Sequence, residues 1–244
     1  MKNTIDLLQQ HVSVRDFKTD PLSSDIKEQL LIAARSGSSS NFVQATSIIE
    51  ITDFDIRERL ATISKSDAYV KNTGTFYMFI ADLHRHANLL KQAEMPLTSV
   101  ANMEALIVSI VDTTIAAENM AIAAESLGLG ICFIGGIRND LFAVRDLLHL
   151  PDYTVPLFGL TIGIPNVKNE IKPRLPQKNM VFENYYDEQA ATELSGYDLQ
   201  MARYYTDRTT HQQSTNWTDK MLEFFKEPRR PDVADFIKEQ GFSL

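Results

Sequence analysis

The chain is poor in cysteine, in net positive charge and in the glycine signatures of the common nucleotide-binding motifs. Cys132 is the one cysteine among 244 residues, so no disulfide can form within the chain. It lies in the apolar run 129–134 and reads as a buried, inert thiol rather than a nucleophile. Lys and Arg number 24 against 32 Asp and Glu, a net charge of −8. Such a chain matches a nucleic-acid backbone poorly, so no nucleic-acid partner is expected. Its local cationic clusters point instead to a small anionic ligand.

Further absences narrow the classes. Gly128-Leu129-Gly130 lacks the third glycine of the dinucleotide fingerprint, and it precedes a strand instead of following one. No GxxxxGK[ST] phosphate loop, GxSxG elbow or HExxH pair occurs. His84-Arg85-His86 would place two imidazoles on one side of an extended segment. No further histidine or HExxH pattern supports them, and no metal site is expected. Residues 1–6 lack the basic-then-apolar order of a signal peptide. The longest apolar stretch, 103–127, carries Glu104, Asp112, Glu118 and Glu125, so no uncharged window of about 18 residues spans a bilayer. The expectation is a soluble, cytoplasmic protein without a membrane partner.

What is present reads as one domain over 1–244, with no repeat, low-complexity tract or linker. Helices are expected at 5–11, 24–35, 53–63 (Arg57 and Arg59 outward), 103–127, 139–149, 186–205, 218–226 and 232–240. Strands are expected at 47–52, 75–81, 129–134 and 157–164, and irregular chain at 166–185. The 103–127 helix is nearly all apolar or small, with its polar residues on one stripe, which predicts a central core element. Gly159 and Gly163 share one face of the last strand and invite a close approach to its backbone.

Two short segments carry cations and polar groups two residues apart. His11-Val12-Ser13-Val14-Arg15 is one and Lys172-Pro173-Arg174 is the other. In extended chain, residues i and i+2 point to the same side, and Pro173 biases Lys172 towards that conformation. Two such faces meeting would make a phosphate clamp. Solvated surface charge explains the spacing equally well. Phe133-Ile134-Gly135-Gly136 ends a strand on a double glycine that exposes backbone N–H groups, as a plain strand–helix turn also does.

In combination these pieces are not generic. H-x-S-x-R, the serine loop SGSSSNFVQ, the strand and turn GLGICFIGGIRND, FGLTIGIP and then KPRLP follow one another in a single order. YYxxR at 204–208 and RP at 230–231 complete it. The chain thus resembles the nitroreductase superfamily, in the group of oxygen-insensitive NADPH nitroreductases and flavin reductases. The resemblance implies an α+β, three-layer αβα fold with a mostly antiparallel central sheet and a long buried helix. That replaces the parallel sheet suggested by strand–helix alternation. It also implies a homodimer holding FMN at the subunit interface, with 166–244 as a C-terminal extension.

By the same resemblance, His11, Ser13, Lys172 and Arg174 would hold the FMN phosphate, and Val12 would line that segment. Arg15 would reach the pyrimidine end of the flavin. Phe133, Ile134, Gly135 and Gly136 would lie against the ring, and Ser39, Ser40 and Asn41 would come from the other subunit. Phe42 and Arg230 match positions near the substrate pocket, and Arg208 an arginine that grips the 2′-phosphate of NADPH. No side chain beyond the flavin would be catalytic, and no metal is involved.

Three positions depart from the pattern: Asp67 stands for a glutamine at the pyrimidine, Leu83 for a pocket aromatic, and Gln213 for a second NADPH-phosphate arginine. Gln213 predicts modest discrimination, with NADH usable beside NADPH unless Lys220 or Arg203 compensates. The implied activity is NAD(P)H-dependent reduction of nitroaromatics, quinones or free flavin by ping-pong hydride transfer. The alternatives are a flavin-binding sensor, or a flavoenzyme with a private substrate such as an azo or halogenated compound.

Overall fold

The computed structural model describes residues 3–209 and 211–243. In chain order the helices are α1 (Thr4–Gln9), α2 (Ser24–Arg35), α3 (Phe54–Ser64), α4 (Asp67–Lys71), α5 (His84–Gln92), α6 (Met103–Ser126), α7 (Leu141–Leu148), α8 (Glu188–Thr192), α9 (Ser195–Asp207), α10 (Trp217–Phe224) and α11 (Val233–Glu239). The strands are β1 (Thr46–Glu50), β2 (Thr75–Asp82), β3 (Gly130–Ile134) and β4 (Thr154–Gly163). The chain divides into two compact units, Met1–Asn169 with Arg230–Leu244, and Glu170–Arg229.

In the first unit the strands form one sheet in the order β1-β2-β4-β3, and every pairing is antiparallel. The β2–β4 register slips between Phe79 and Ile80, where Phe79 faces Phe158 and Ile80 faces Pro156. Pro156 has no N–H for the ladder, so an irregularity there costs the sheet little. Alternate residues feed two cores. Tyr77, Phe79, Ile131, Leu160 and Ile162 pack against α2 and α6. Phe76, Met78, Ile80, Cys132 and Ile134 pack against α3, α4 and α7. The sheet is thus the middle of three layers. The glycine face of β4 is approached by the chain's own core: the Phe76 ring sits where a Cβ of Gly159 would stand.

The 24-residue α6 meets the length and apolarity of a membrane span, with mean hydropathy 1.5. Leu106, Ala116, Ala117, Met120, Ala121 and Ala124 bury one side of it. Its other side exposes Met103, Ile107 and Val111 at 42%, 47% and 48%. The helix is therefore a layer with one uncovered apolar stripe, rather than a fully enclosed core element. Its polar stripe is not wholly solvated either, because Asp112 is buried at 3%.

Three other local expectations are corrected. Arg57 turns inward and donates to the Thr73 carbonyl at 3.0 Å, its guanidinium held below the usual range by burial. His84 and His86 lie on α5, not on an extended segment, so residues two apart diverge by roughly 200°. His84 Nδ1 meets the Asp152 carbonyl and His86 Nε2 the Val43 carbonyl. The helix expected at 186–205 breaks into α8 and α9 at Glu193, whose carbonyl and that of Ala190 accept from Asn179 Nδ2.

The second unit is small. Tyr197, Met201 and Tyr205 of α9 form its core with Leu175, Tyr204 and Trp217. Thr218 N donates to Asp198 Oδ1 at 2.9 Å and Tyr197 Oη to the Pro173 carbonyl at 2.9 Å.

Candidate functional site

The segment 11–15 is extended, as the alternation requires. Val14 N donates to the Ile131 carbonyl at 2.8 Å, and Ser13 bridges Ile131 in parallel sense. Val14 is buried against Gly130, where an added Cβ would come within 2.6 Å of Val14 Cγ2. Only glycine lets the segment dock so closely on β3. With Val14 inward, Ser13 and Arg15 face the opposite way. Cys132 lies behind them. Burial pushes its thiol up, while Arg15 and Ser13 pull the other way. An uncharged thiol is a poor nucleophile.

His11 Nδ1 lies 2.9 Å from Glu125 Oε1 in the last turn of α6, with side chains 30% and 12% exposed. A carboxylate near a helix C-terminus opposes the macrodipole. Glu125 therefore stands in an electrostatically unfavourable place, and the hydrogen bond with the imidazole holds it there.

Beyond Ile134 the chain turns through a 3₁₀ segment, Gly135–Asn139. A Cβ on Gly136 would collide with the backbone carbonyl of Ser64, so the turn is closed to any other residue there. Asn139 fixes the turn to α3 through the Ile63 carbonyl and accepts from Arg230 Nε at 3.0 Å. Arg138 donates to the Leu157 carbonyl, and its guanidinium is lowered first by burial and then by Arg230. Phe133 is half-buried, edge-on to Phe158 at 5.3 Å. Asp67 opens α4 and pairs with Lys71 at 3.4 Å. Leu83 is 3% exposed in the core with Ala45 and Val155, rather than lining an open pocket.

The serine loop is pinned to the middle of α6. Asp112 Oδ2 accepts from Ser39 Oγ at 2.6 Å and Ala45 N at 3.1 Å, and Oδ1 from Ser40 N at 3.1 Å. Between these anchors Asn41, Phe42 and Gln44 take positive φ of 46°, 60° and 53°. Phe42 projects outward, 79% exposed.

In the second unit Lys172 and Arg174 are both exposed. Lys172 Nζ stands 5.3 Å from the centre of the Tyr205 ring, and the Arg208 guanidinium 5.7 Å from that of Tyr204.

Within the first unit the structure ties 11–15 to β3 and the end of α6, the glycine turn with Arg230 to α3 and β4, and the serine loop to the centre of α6. Sequence reasoning missed Glu125, Asp112 and Arg138 as their anchors. The signal for the first two was an acid set in an otherwise apolar helix, one of them at its negative end.

Comparison with known proteins places this geometry. The Nitroreductase family profile matches residues 8–164, and the profile of that family's C-terminal domain matches 172–244. A Bacillus subtilis FMN reductase (NADPH) is 38% identical over 247 residues, covering 100% of this chain and 99% of the relative. An oxygen-insensitive NADPH nitroreductase of Salmonella typhimurium is 38% identical over 243 residues, covering 100% and 99%. The solved structure of NfrA1 from B. megaterium superposes with a TM-score of 0.94 at 37% identity, covering 99% of each chain. With the antiparallel three-layer sheet and the docked H-x-S-x-R segment, these matches make the chain a member of the nitroreductase family.

Proposed function

We propose that this chain is an NADPH-dependent FMN oxidoreductase that reduces nitroaromatics, quinones or free flavin, and that it works as a homodimer. The observation that carries the reading is full-length similarity to relatives named for those activities, joined to cationic groups suited to one phosphate. Lys172 and Arg174 are exposed, and among the described residues neither pairs with a carboxylate. That pair of cations, two residues apart, suits a phosphomonoester. A clamp ending on one phosphate favours FMN over FAD.

Bound FMN supplies the two-electron hydride chemistry. His11, Ser13, Lys172 and Arg174 would hold its phosphate, and Val12 would line the same segment. Arg15 would meet the pyrimidine end, where a guanidinium would favour added negative charge. Asp67 adds a carboxylate near that end, an opposing charge that Lys71 offsets. Phe133, Ile134 and the Gly135 and Gly136 N–H groups would form the wall of the ring. Arg230 and Phe42 flank the acceptor position, and Arg208 receives the NADPH phosphate.

The uncovered stripe of α6 supports dimer formation, because apolar area of this kind is normally buried by a partner. The partner subunit's Ser39, Ser40 and Asn41 complete the flavin site. The chain acts as a single domain over 1–244, with 166–244 as an extension. Its partners are small molecules, with no nucleic acid or membrane, and reliance on NADPH puts its work in the cytoplasm. Replacing Lys172 and Arg174 together by Ala is expected to abolish FMN retention through gel filtration; retention at wild-type affinity would exclude the clamp.

A further inference from the structure

Three cations of the second unit gather on two tyrosines. Lys172 Nζ and Lys220 Nζ lie 5.3 Å and 4.8 Å from the centre of the Tyr205 ring. The Arg208 guanidinium lies 5.7 Å from the centre of Tyr204, and the two rings meet edge to face at 5.4 Å. Among the described residues none of these cations pairs with a carboxylate. Glu170 is occupied by Thr209 Oγ1 at 3.1 Å. With Lys172 assigned above to the FMN phosphate, Lys220 and Arg208, each on an aromatic face without a counter-ion, form a place for a second anion.

Gln213 gives this cluster its shape. Its backbone N donates to the Tyr205 carbonyl at 3.1 Å, which folds the loop before α10 back onto the end of α9. Its side-chain Oε1 then accepts from Lys220 Nζ at 2.6 Å. An ammonium has three N–H donors, so two remain for another acceptor. The neutral amide at 213 thus carries a cation on its end.

We propose that Lys220, held by Gln213, acts with Arg208 to read the 2′-phosphate that distinguishes NADPH from NADH. The inference rests on the assignment of Arg208 given above. It alters what Gln213 alone would predict. A neutral side chain cannot favour a group carrying about −1.5 to −2 charges, but an ammonium tethered to it can. Lysine offers a point charge rather than the fork of an arginine. Its contribution is therefore mostly charge, and it weakens as salt rises.

The test uses the FMN-loaded full chain at low salt and compares kcat/KM for NADPH with that for NADH. Lys220→Met is expected to lower the NADPH-to-NADH ratio about tenfold, the size of one charge-assisted hydrogen bond. Lys220→Arg should hold the ratio, and Gln213→Arg added to Lys220→Met should restore it. Arg208→Met is measured in parallel. If it lowers the ratio while Lys220→Met does not, the Lys220 proposal falls and the phosphate site stands. If neither variant moves the ratio, the 2′-phosphate lies elsewhere and both readings fall. A wild-type ratio near one would overturn the proposal outright.

Discussion

Ser39 Oγ donates to Asp112 Oδ2 at 2.6 Å, tying a loop rich in left-handed residues to the buried side of α6. The carboxylate takes two further donors, Ser40 N and Ala45 N. Three bonds from one residue thus set the loop that carries Ser39, Ser40, Asn41 and Phe42. Removing the acceptor strands buried donors, each costing about 1–3 kcal/mol. Asp112→Ala is therefore expected to destabilise the fold by about 2–4 kcal/mol. It should also weaken FMN binding at the neighbouring subunit. Urea unfolding and flavin titration measure both; unchanged values would remove Asp112 as the anchor.

Glu125 gives a prediction of a different kind. Its carboxylate fixes the His11 ring at 2.9 Å, facing the position proposed for the FMN phosphate. Only a ligand bearing phosphate would use that contact. Glu125→Gln should weaken FMN binding about tenfold, one charge-assisted bond, while binding of riboflavin, which lacks phosphate, changes little. Equal loss for both ligands would mean that Glu125 merely supports the fold.

Much of this was legible in the sequence, for identifiable physical reasons. The four strands show as β-branched and aromatic runs, and α6 as a long apolar segment ended at Gly128, whose φ of 79° suits a helix stop. The i, i+2 rule placed Ser13 and Arg15 opposite Val14, as observed. Tertiary partnership was not legible. Asp112 falls on the polar stripe of α6, but helical spacing gives angles around an axis and says nothing of which side is covered. Arg57 was read outward by the same logic, yet the Thr73 carbonyl gives its guanidinium an inward partner. The double glycine was visible, but its cause, the Ser64 carbonyl filling the space of a side chain, comes from a helix 70 residues earlier in rough terms of chain distance.

Tyr77 sets a pH limit. Its phenol is pushed up to about 12, first by burial and then by Glu50. An exposed tyrosine ionises near about 10. The folded state therefore holds the neutral form, and this contribution to stability is complete below about pH 10. It is lost as pH rises through about 12. Tyr77→Phe should flatten the fall in the urea midpoint across that window. An identical alkaline fall in both proteins would show that Tyr77 does not govern it.

The central claim is that this chain holds FMN and passes electrons from NADPH to a small acceptor. The most direct measurement is the visible spectrum of the purified protein under anaerobic conditions, before and after NADPH and then after a nitroaromatic or quinone. The account predicts an oxidised-flavin band that a stoichiometric amount of NADPH bleaches and the acceptor restores. A protein without bound flavin, or one whose flavin stays oxidised with both NADPH and NADH, would contradict it.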